Sequence, residues 1–378
     1  MLRKASIAMV AVLLALVLMP LLMKPRKAAI DPAVCHGPRL TLPEREKAFE
    51  DGYQVHMDYG CITKASFEAM QKAEADHAAA RAKRELQDKQ RAAQEAIEAS
   101  RTLADVRRNF VTGVRAPGTG QPLPKPPASL FVRADYQSAG RTLAAFVSPN
   151  PASGQRHPAI VWLTGGDSST LDDFWTEGAA GKDQSASALR KAGVVMYFPT
   201  LRGGNQNTGQ REFFMGEVDD VIAAAEHLAS LPYVDPQRIY LGGHSTGGTL
   251  AALAAELSPR FAGVFAFGPV AGVNDYGFGV LPEGIRFDEQ EARVRSPVHW
   301  LHAVQSPLWL IEGERGNSLD ALCHAAAGRP KVRCLRVPGH DHFSVLGAVL
   351  PRLAAQIVVP PDGGIRLEAA ELGRAPGS

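Results

Sequence analysis

The sequence predicts an α/β fold, a mostly parallel sheet with helices on both faces, preceded by a transmembrane helix and a long charged helix. Three observations carry this expectation. From about residue 128, short apolar runs alternate with helical stretches, the pattern of a sheet whose crossovers are helices. Residues 5–23 are almost uncharged. Residues 66–110 are rich in Ala, Glu, Lys, Arg and Gln, with no proline.

Composition narrows the function classes. Apolar residues make up 45% and charged residues 21%, which argues against a wholly disordered or collagen-like chain. The 41 Lys and Arg against 39 Asp and Glu leave a net charge of +2, so no basic excess points to nucleic acid. The four cysteines show no C-x-x-C spacing, which argues against a structural zinc site.

The elements follow in order. As a helix, residues 5–23 would span roughly 28 Å at about 1.5 Å per residue, close to the thickness of a bilayer core. The run meets Lys24, Arg26 and Lys27 with no small-x-small cleavage site, which favours an anchor over a cleaved signal peptide and sets a first segment of 1–27. Residues 28–112 form a helical accessory segment. Its large apolar residues keep no heptad, so the 66–110 helix is expected to be a solvated spacer, or a face for a protein partner. Residues 113–127 are a Pro-rich linker, the main domain spans 128–360, and 361–378 is a flexible tail. Cys35 with Cys61, and Cys323 with Cys334, are two local candidate disulfides. They suit an oxidising compartment, so the main domain is expected to be membrane-anchored and periplasmic or extracellular.

In the main domain the predicted strands are 130–136, 142–147, 159–163, 194–198, 239–242, 263–267, 308–311 and 332–337. Helices are predicted at 185–192, 218–230, 247–257, 319–327 and 345–357. Strand 159–163 is continuously apolar, as burial on both faces requires, and most of the strands after it repeat that look. Residues 268–305 form a long connection bearing Tyr276, Phe278, Phe287, His299 and Trp300, which could cap a site.

The sharpest motif is Gly243-His244-Ser245-Thr246-Gly247, G-x-S-x-G between an apolar run and an Ala/Leu-rich helix. In that context Ser245 sits on a strand-to-helix elbow, a strained turn that exposes a nucleophilic hydroxyl. The helix that starts there aims free N–H groups at developing negative charge. Thr246 would supply one oxyanion-hole amide. The second would come from the loop after strand 159–163, Thr164-Gly165-Gly166-Asp167, with Gly166 the candidate and Gly165 the fallback.

Residues from about 130 to 359 resemble the α/β-hydrolase superfamily, and within it the catalytic domain of the prolyl oligopeptidase family and its smaller esterase relatives. Gly216-Glu217-Val218-Asp219-Asp220 opening a helix is similar to that family's acidic helix. The run Val234-Asp235-Pro236-Gln237-Arg238-Ile239 is similar to its lead-in to the elbow strand. The resemblance stops short of the N-terminal part, with no room for the propeller of prolyl oligopeptidases.

The superfamily order Ser, then acid, then His implies the remaining roles. His342, in a His-Phe-Ser start to the last helix, is the candidate base, with His340 the alternative. The acid departs from the family pattern, because Gly316 stands where a G-x-x-D turn would carry Asp. Glu312 is the first candidate for it, followed by Glu314 and then Asp275. The expectation is a serine hydrolase that cleaves a small ester or a peptide bond through an acyl-enzyme on Ser245, with no metal or organic cofactor required. The rivals are a non-catalytic scaffold in the cell envelope, motivated by the altered acid turn, and a soluble cytosolic esterase.

Overall fold

The computed structural model describes residues 53–56, 60–179, 181–277 and 280–372. The expected anchor at 1–27 and Cys35 lie outside the described residues. Among those described, no helix is long and apolar enough to cross a membrane. The chain divides into two compact units, Met1–Ala99 and Ser100–Ser378.

In the first unit, strands β1 (Tyr53–His56) and β2 (Gly60–Thr63) pair antiparallel and lead into α1 (Lys64–Ser100), a helix of 37 residues. Its described side chains are exposed except Met70, Ala82 and Leu86, which are half-buried, as the sparse apolar pattern requires. The helix does not run on to residue 110. Thr102 caps a second helix, α2 (Leu103–Arg107), its hydroxyl accepting the Asp105 amide at 3.1 Å while the Asp105 carboxylate takes the Thr102 amide at 3.1 Å. That reciprocal cap satisfies the new helix start and ends the old one.

In the second unit the strands are β3 (Val132–Arg133), β4 (Tyr136–Ser138), β5 (Arg141–Leu143), β6 (Ala145–Val147) and β7 (His157–Leu163). Helix α3 (Ser187–Lys191), β8 (Val195–Pro199), α4 (Gly216–Ser230) and β9 (Val234–His244) follow. Then come α5 (Thr246–Leu257), β10 (Gly263–Phe267), α6 (Glu289–Val294) and β11 (Leu308–Gly313). The unit ends with α7 (Asp320–Ala325), β12 (Val332–Val337), α8 (Ser344–Val358) and α9 (Ala369–Leu372).

One eight-stranded sheet runs in the order β3-β6-β8-β7-β9-β10-β11-β12. The six strands from β8 to β12 in that order are parallel, while β6 is antiparallel to both β3 and β8. Successive residues of each inner strand enter opposite cores. Val161, Leu241 and Leu310 join α4 and α5 on one face, and Ile160, Trp162 and Ile311 join α3 and α8 on the other. Two of the predicted strands are split. The positive φ of Ala139 (47°) and Gly140 (74°) turns the chain tightly, so β4 and β5 pair as a separate hairpin. The tail is partly packed, because Leu367 and Leu372 are buried against the α8 side.

The parallel strands place their carboxyl ends along one edge. The loop after β7, the β9–α5 junction, the end of β11 and the loop after β12 all meet there, the edge where open α/β sheets bind ligands.

Candidate active site

At the end of β9 the chain turns into α5 through Ser245, whose backbone sits at φ 57°, ψ −117°. A side-chain-bearing residue is rare in that region, and its presence there marks stored strain. Neighbouring contacts hold it. The Ser245 amide donates to the Phe267 carbonyl at 2.7 Å. A Cβ on Gly243 would lie 2.3 Å from the Gly247 carbonyl oxygen, and one on Gly247 would lie 2.4 Å from that of Leu163. The two flanking glycines are therefore demanded by backbone packing. Ser245 is half-buried between two buried neighbours, His244 and Thr246.

Thr246 is the first residue of α5, so its amide has no partner within the helix. Its hydroxyl donates to the Gly166 carbonyl at 2.8 Å, tying the loop after β7 to the elbow. That loop grazes the elbow, since a Cβ on Gly165 would lie 3.2 Å from the Ser245 Cβ. Gly166, at φ 74°, and Thr246 both line a cavity of about 260 Å³ with Phe213, Phe214, Leu250 and Leu281. Phe213 and Phe214 hold positive φ, 51° and 67°, in a loop gripped by Glu217. The Glu217 carboxylate accepts the amides of Glu212, Phe213 and Met215 at 2.6, 3.1 and 3.2 Å. Burial pushes the Glu217 carboxyl up to about 7, against the pull of those amides and of Arg202.

From the other side comes His342. Its Nδ1 donates to Glu312 Oε2 at 2.8 Å. Glu312, at 0% exposure, also accepts the amides of Gly313 (2.7 Å) and Asn317 (3.0 Å). A carboxylate only accepts, so the shared proton belongs to Nδ1 and Nε2 is left as the basic nitrogen. The His342 ring lies against Gly268, the residue after the Phe267 carbonyl that Ser245 bonds. Its centroid is 4.5 Å from that of the His244 ring, and His244 Nε2 donates to the His342 carbonyl at 2.9 Å. Burial, and then the nearness of His342, push His244 down to about 4, so this ring stays neutral near pH 7. No hydrogen bond joins the Ser245 hydroxyl to the His342 ring, although His342 is held by Glu312.

The structure thus brings together Ser245, Thr246, Gly166, His342 and Glu312. Gly165, the fallback for Gly166, lies at the elbow as well, whereas the alternative acids bind elsewhere. Glu314 is exposed and accepts the Gly339 amide at 3.0 Å. Asp275 is exposed and accepts the Gly272 amide at 2.8 Å, closing its own turn. At His340, the backbone carbonyl accepts the Arg315 amide at 3.0 Å. Cys323 and Cys334 are joined as a disulfide with Cα atoms 5.8 Å apart. The Cys61 side chain, like Cys35, lies outside the described residues. Among the described residues no cluster of three or more His, Cys, Asp or Glu could hold a metal ion.

Three contributors escaped sequence reasoning. Asn317 binds Glu312 through its amide and the Gly268 carbonyl through its side chain (2.9 Å). It lies inside the acid turn, so an anion-binding turn was the available signal. Gln184, 3.2 Å from His244 Nδ1, and the Phe213-Phe214 pair carry no sequence signal.

Parts of the chain are similar to known proteins. The prolyl oligopeptidase family matches residues 181–321, a span holding the elbow and the Glu312 turn. Prolyl oligopeptidase A of Galerina marginata is 31% identical over 109 residues, 27% of this chain and 14% of that protein. The uncharacterized peptidase YtmA of Bacillus subtilis is 25% identical over 163 residues, 39% of this chain and 61% of that protein. The chain therefore covers less than two thirds of either relative's length. An acylaminoacyl peptidase solved in complex with Z-Gly-Gly-Phe-chloromethyl ketone superposes with a TM-score of 0.50 at 16% identity, over 65% of this chain and 44% of that one. The second unit has the α/β-hydrolase fold, and the family match supports a hydrolase of the serine peptidase or esterase type.

Proposed function

We propose that the chain is a serine hydrolase that cleaves an ester or peptide bond through an acyl-enzyme on Ser245. His342 Nε2 takes the Ser245 proton as Oγ attacks the carbonyl carbon, and the oxyanion formed is received by the Thr246 and Gly166 amides. Glu312 holds the Nδ1–H in place and stabilises the imidazolium. Collapse expels the leaving group with the proton from Nε2, and water repeats the sequence to free the acid. The observation that carries the proposal is the 2.8 Å contact of His342 Nδ1 with buried Glu312 beside a strained serine elbow. The same contact weakens the motive for a non-catalytic scaffold, which was the missing Asp.

The cavity next to the oxyanion amides is walled by Phe213, Phe214, Leu250 and Leu281 but also by Asp167, Arg211 and Glu217, which supports a substrate group with both apolar and polar parts there. A panel of p-nitrophenyl esters and chromogenic peptides, assayed with wild type, Ser245→Ala and His342→Ala, tests the reading. Turnover that vanishes in both variants is expected. Turnover unchanged in Ser245→Ala, or none on any substrate, would remove it. Export to an oxidising compartment, with residues 1–27 as anchor, is part of the proposal and is supported by the Cys323–Cys334 disulfide. Recovery in a soluble cytosolic fraction with both thiols reduced would overturn that part.

A further inference from the structure

We infer that Gly316 is the positioning residue that makes Glu312 the acid of this site, and that the site takes its carboxylate from position 312 or from position 316 but not from both. The inference rests on the serine-hydrolase reading. A Cβ placed on Gly316 would lie 2.3 Å from Glu312 Cδ, 2.4 Å from Oε1 and 2.8 Å from Oε2. Any side chain at 316 therefore claims the volume that the Glu312 carboxylate fills. The Gly316 backbone is not in the left-handed region, so an L-residue could adopt its conformation. What position 316 demands is empty space.

The groups that receive the carboxylate belong to the turn and to the base, whichever residue supplies the charge. The Gly313 and Asn317 amides converge on the volume, at 2.7 and 3.0 Å from the present oxygens, and His342 Nδ1 meets it at 2.8 Å. The turn is closed by the Gly316 amide on the Gly313 carbonyl at 3.0 Å, a bond that a side chain at 316 leaves intact. An aspartate there would put its carboxyl carbon one bond, about 1.5 Å, beyond the Cβ and so inside the region Glu312 now occupies. The longer glutamate reaches this region from the end of β11, four positions earlier, because a glycine leaves it open.

The test is a cycle of Glu312→Ala, Gly316→Asp and the double variant. Each is read by kcat and KM and by the downfield proton resonance of the imidazole N–H bonded to carboxylate. Glu312→Ala is expected to lower kcat by about 10³- to 10⁴-fold with KM little changed, and to abolish the resonance. The double variant is expected to regain the resonance and return kcat to within about tenfold of wild type. Gly316→Asp alone is expected to be impaired, because two carboxylates crowd one site. Folded double protein that is no more active than Glu312→Ala and lacks the resonance would overturn the inference.

Gly316→Ala decides the matter if the double variant does not fold. The added methyl is expected to lower kcat at least about tenfold and reduce thermal stability in wild type, yet change neither by much in the Glu312→Ala background. Equal losses in both backgrounds would overturn it. The resonance and the stability cycle remain readable without turnover, so failure of this inference and failure of the Ser245 mechanism give different results.

Discussion

Replacing Ser245 by glycine should make the protein more stable as it destroys the activity. At φ 57° and ψ −117° the serine Cβ is strained, and such backbone costs about 1–3 kcal/mol in a residue with a side chain. Glycine has no Cβ and relieves that strain, but its freer unfolded chain takes back about 0.4–1 kcal/mol. The net gain is about 0–2.6 kcal/mol and centres near about 1 kcal/mol, or a few degrees in Tm for a domain of this size. Ser245→Ala keeps the Cβ and the strain, and loses only a half-buried hydroxyl, so its stability should stay near that of wild type. Urea unfolding followed by tryptophan fluorescence and by circular dichroism, on all three proteins, gives the comparison. If Ser245→Gly is no more stable than Ser245→Ala, the elbow is not strained and the account of why this serine is raised is wrong.

Two further outcomes follow from other parts of the fold. The Cys323–Cys334 bond closes a short loop with a sequence separation of 11, so in the chain-entropy view its loss should remove about 3 kcal/mol. Unchanged thermal unfolding with reductant, and in the Cys323→Ala/Cys334→Ala variant, would contradict this. Glu217, with its carboxyl raised to about 7 from an ordinary 4.5, holds its proton more tightly when folded than when unfolded. Its contribution to stability should be full below pH 4.5 and fall as pH rises through about 7, a change of about 3 kcal/mol. The stability difference between wild type and Glu217→Gln, measured from pH 4.5 to 8.5, should show that slope; a flat difference would contradict it.

Much of the architecture was legible because its causes are local. Runs such as Val264-Phe265-Ala266-Phe267 are short, apolar on both faces and rich in β-formers, as inner strands are, and the elbow announces itself through two glycines that backbone packing requires. What stayed illegible depends on tertiary reach. Glu312, Glu314 and Asp275 look equivalent along the chain; only the folded approach of His342, 30 positions from Glu312, separates them. The usual local sign of an acid had been removed by Gly316. The break in the 66–110 helix was written locally, in Thr102 and Asp105, but a run of strong helix formers on either side masks a single cap. The cavity wall had no sign at all, since Phe213 and Phe214 take positive φ in a loop held by Glu217 and, from afar, by Arg295.

The most direct test of the central claim is covalent trapping. Intact protein treated with a fluorophosphonate and examined by mass spectrometry should carry one adduct, mapped to Ser245. That adduct should be absent from Ser245→Ala and form far more slowly in His342→Ala. No adduct on the folded protein, or an adduct on another residue that persists in Ser245→Ala, would contradict the account.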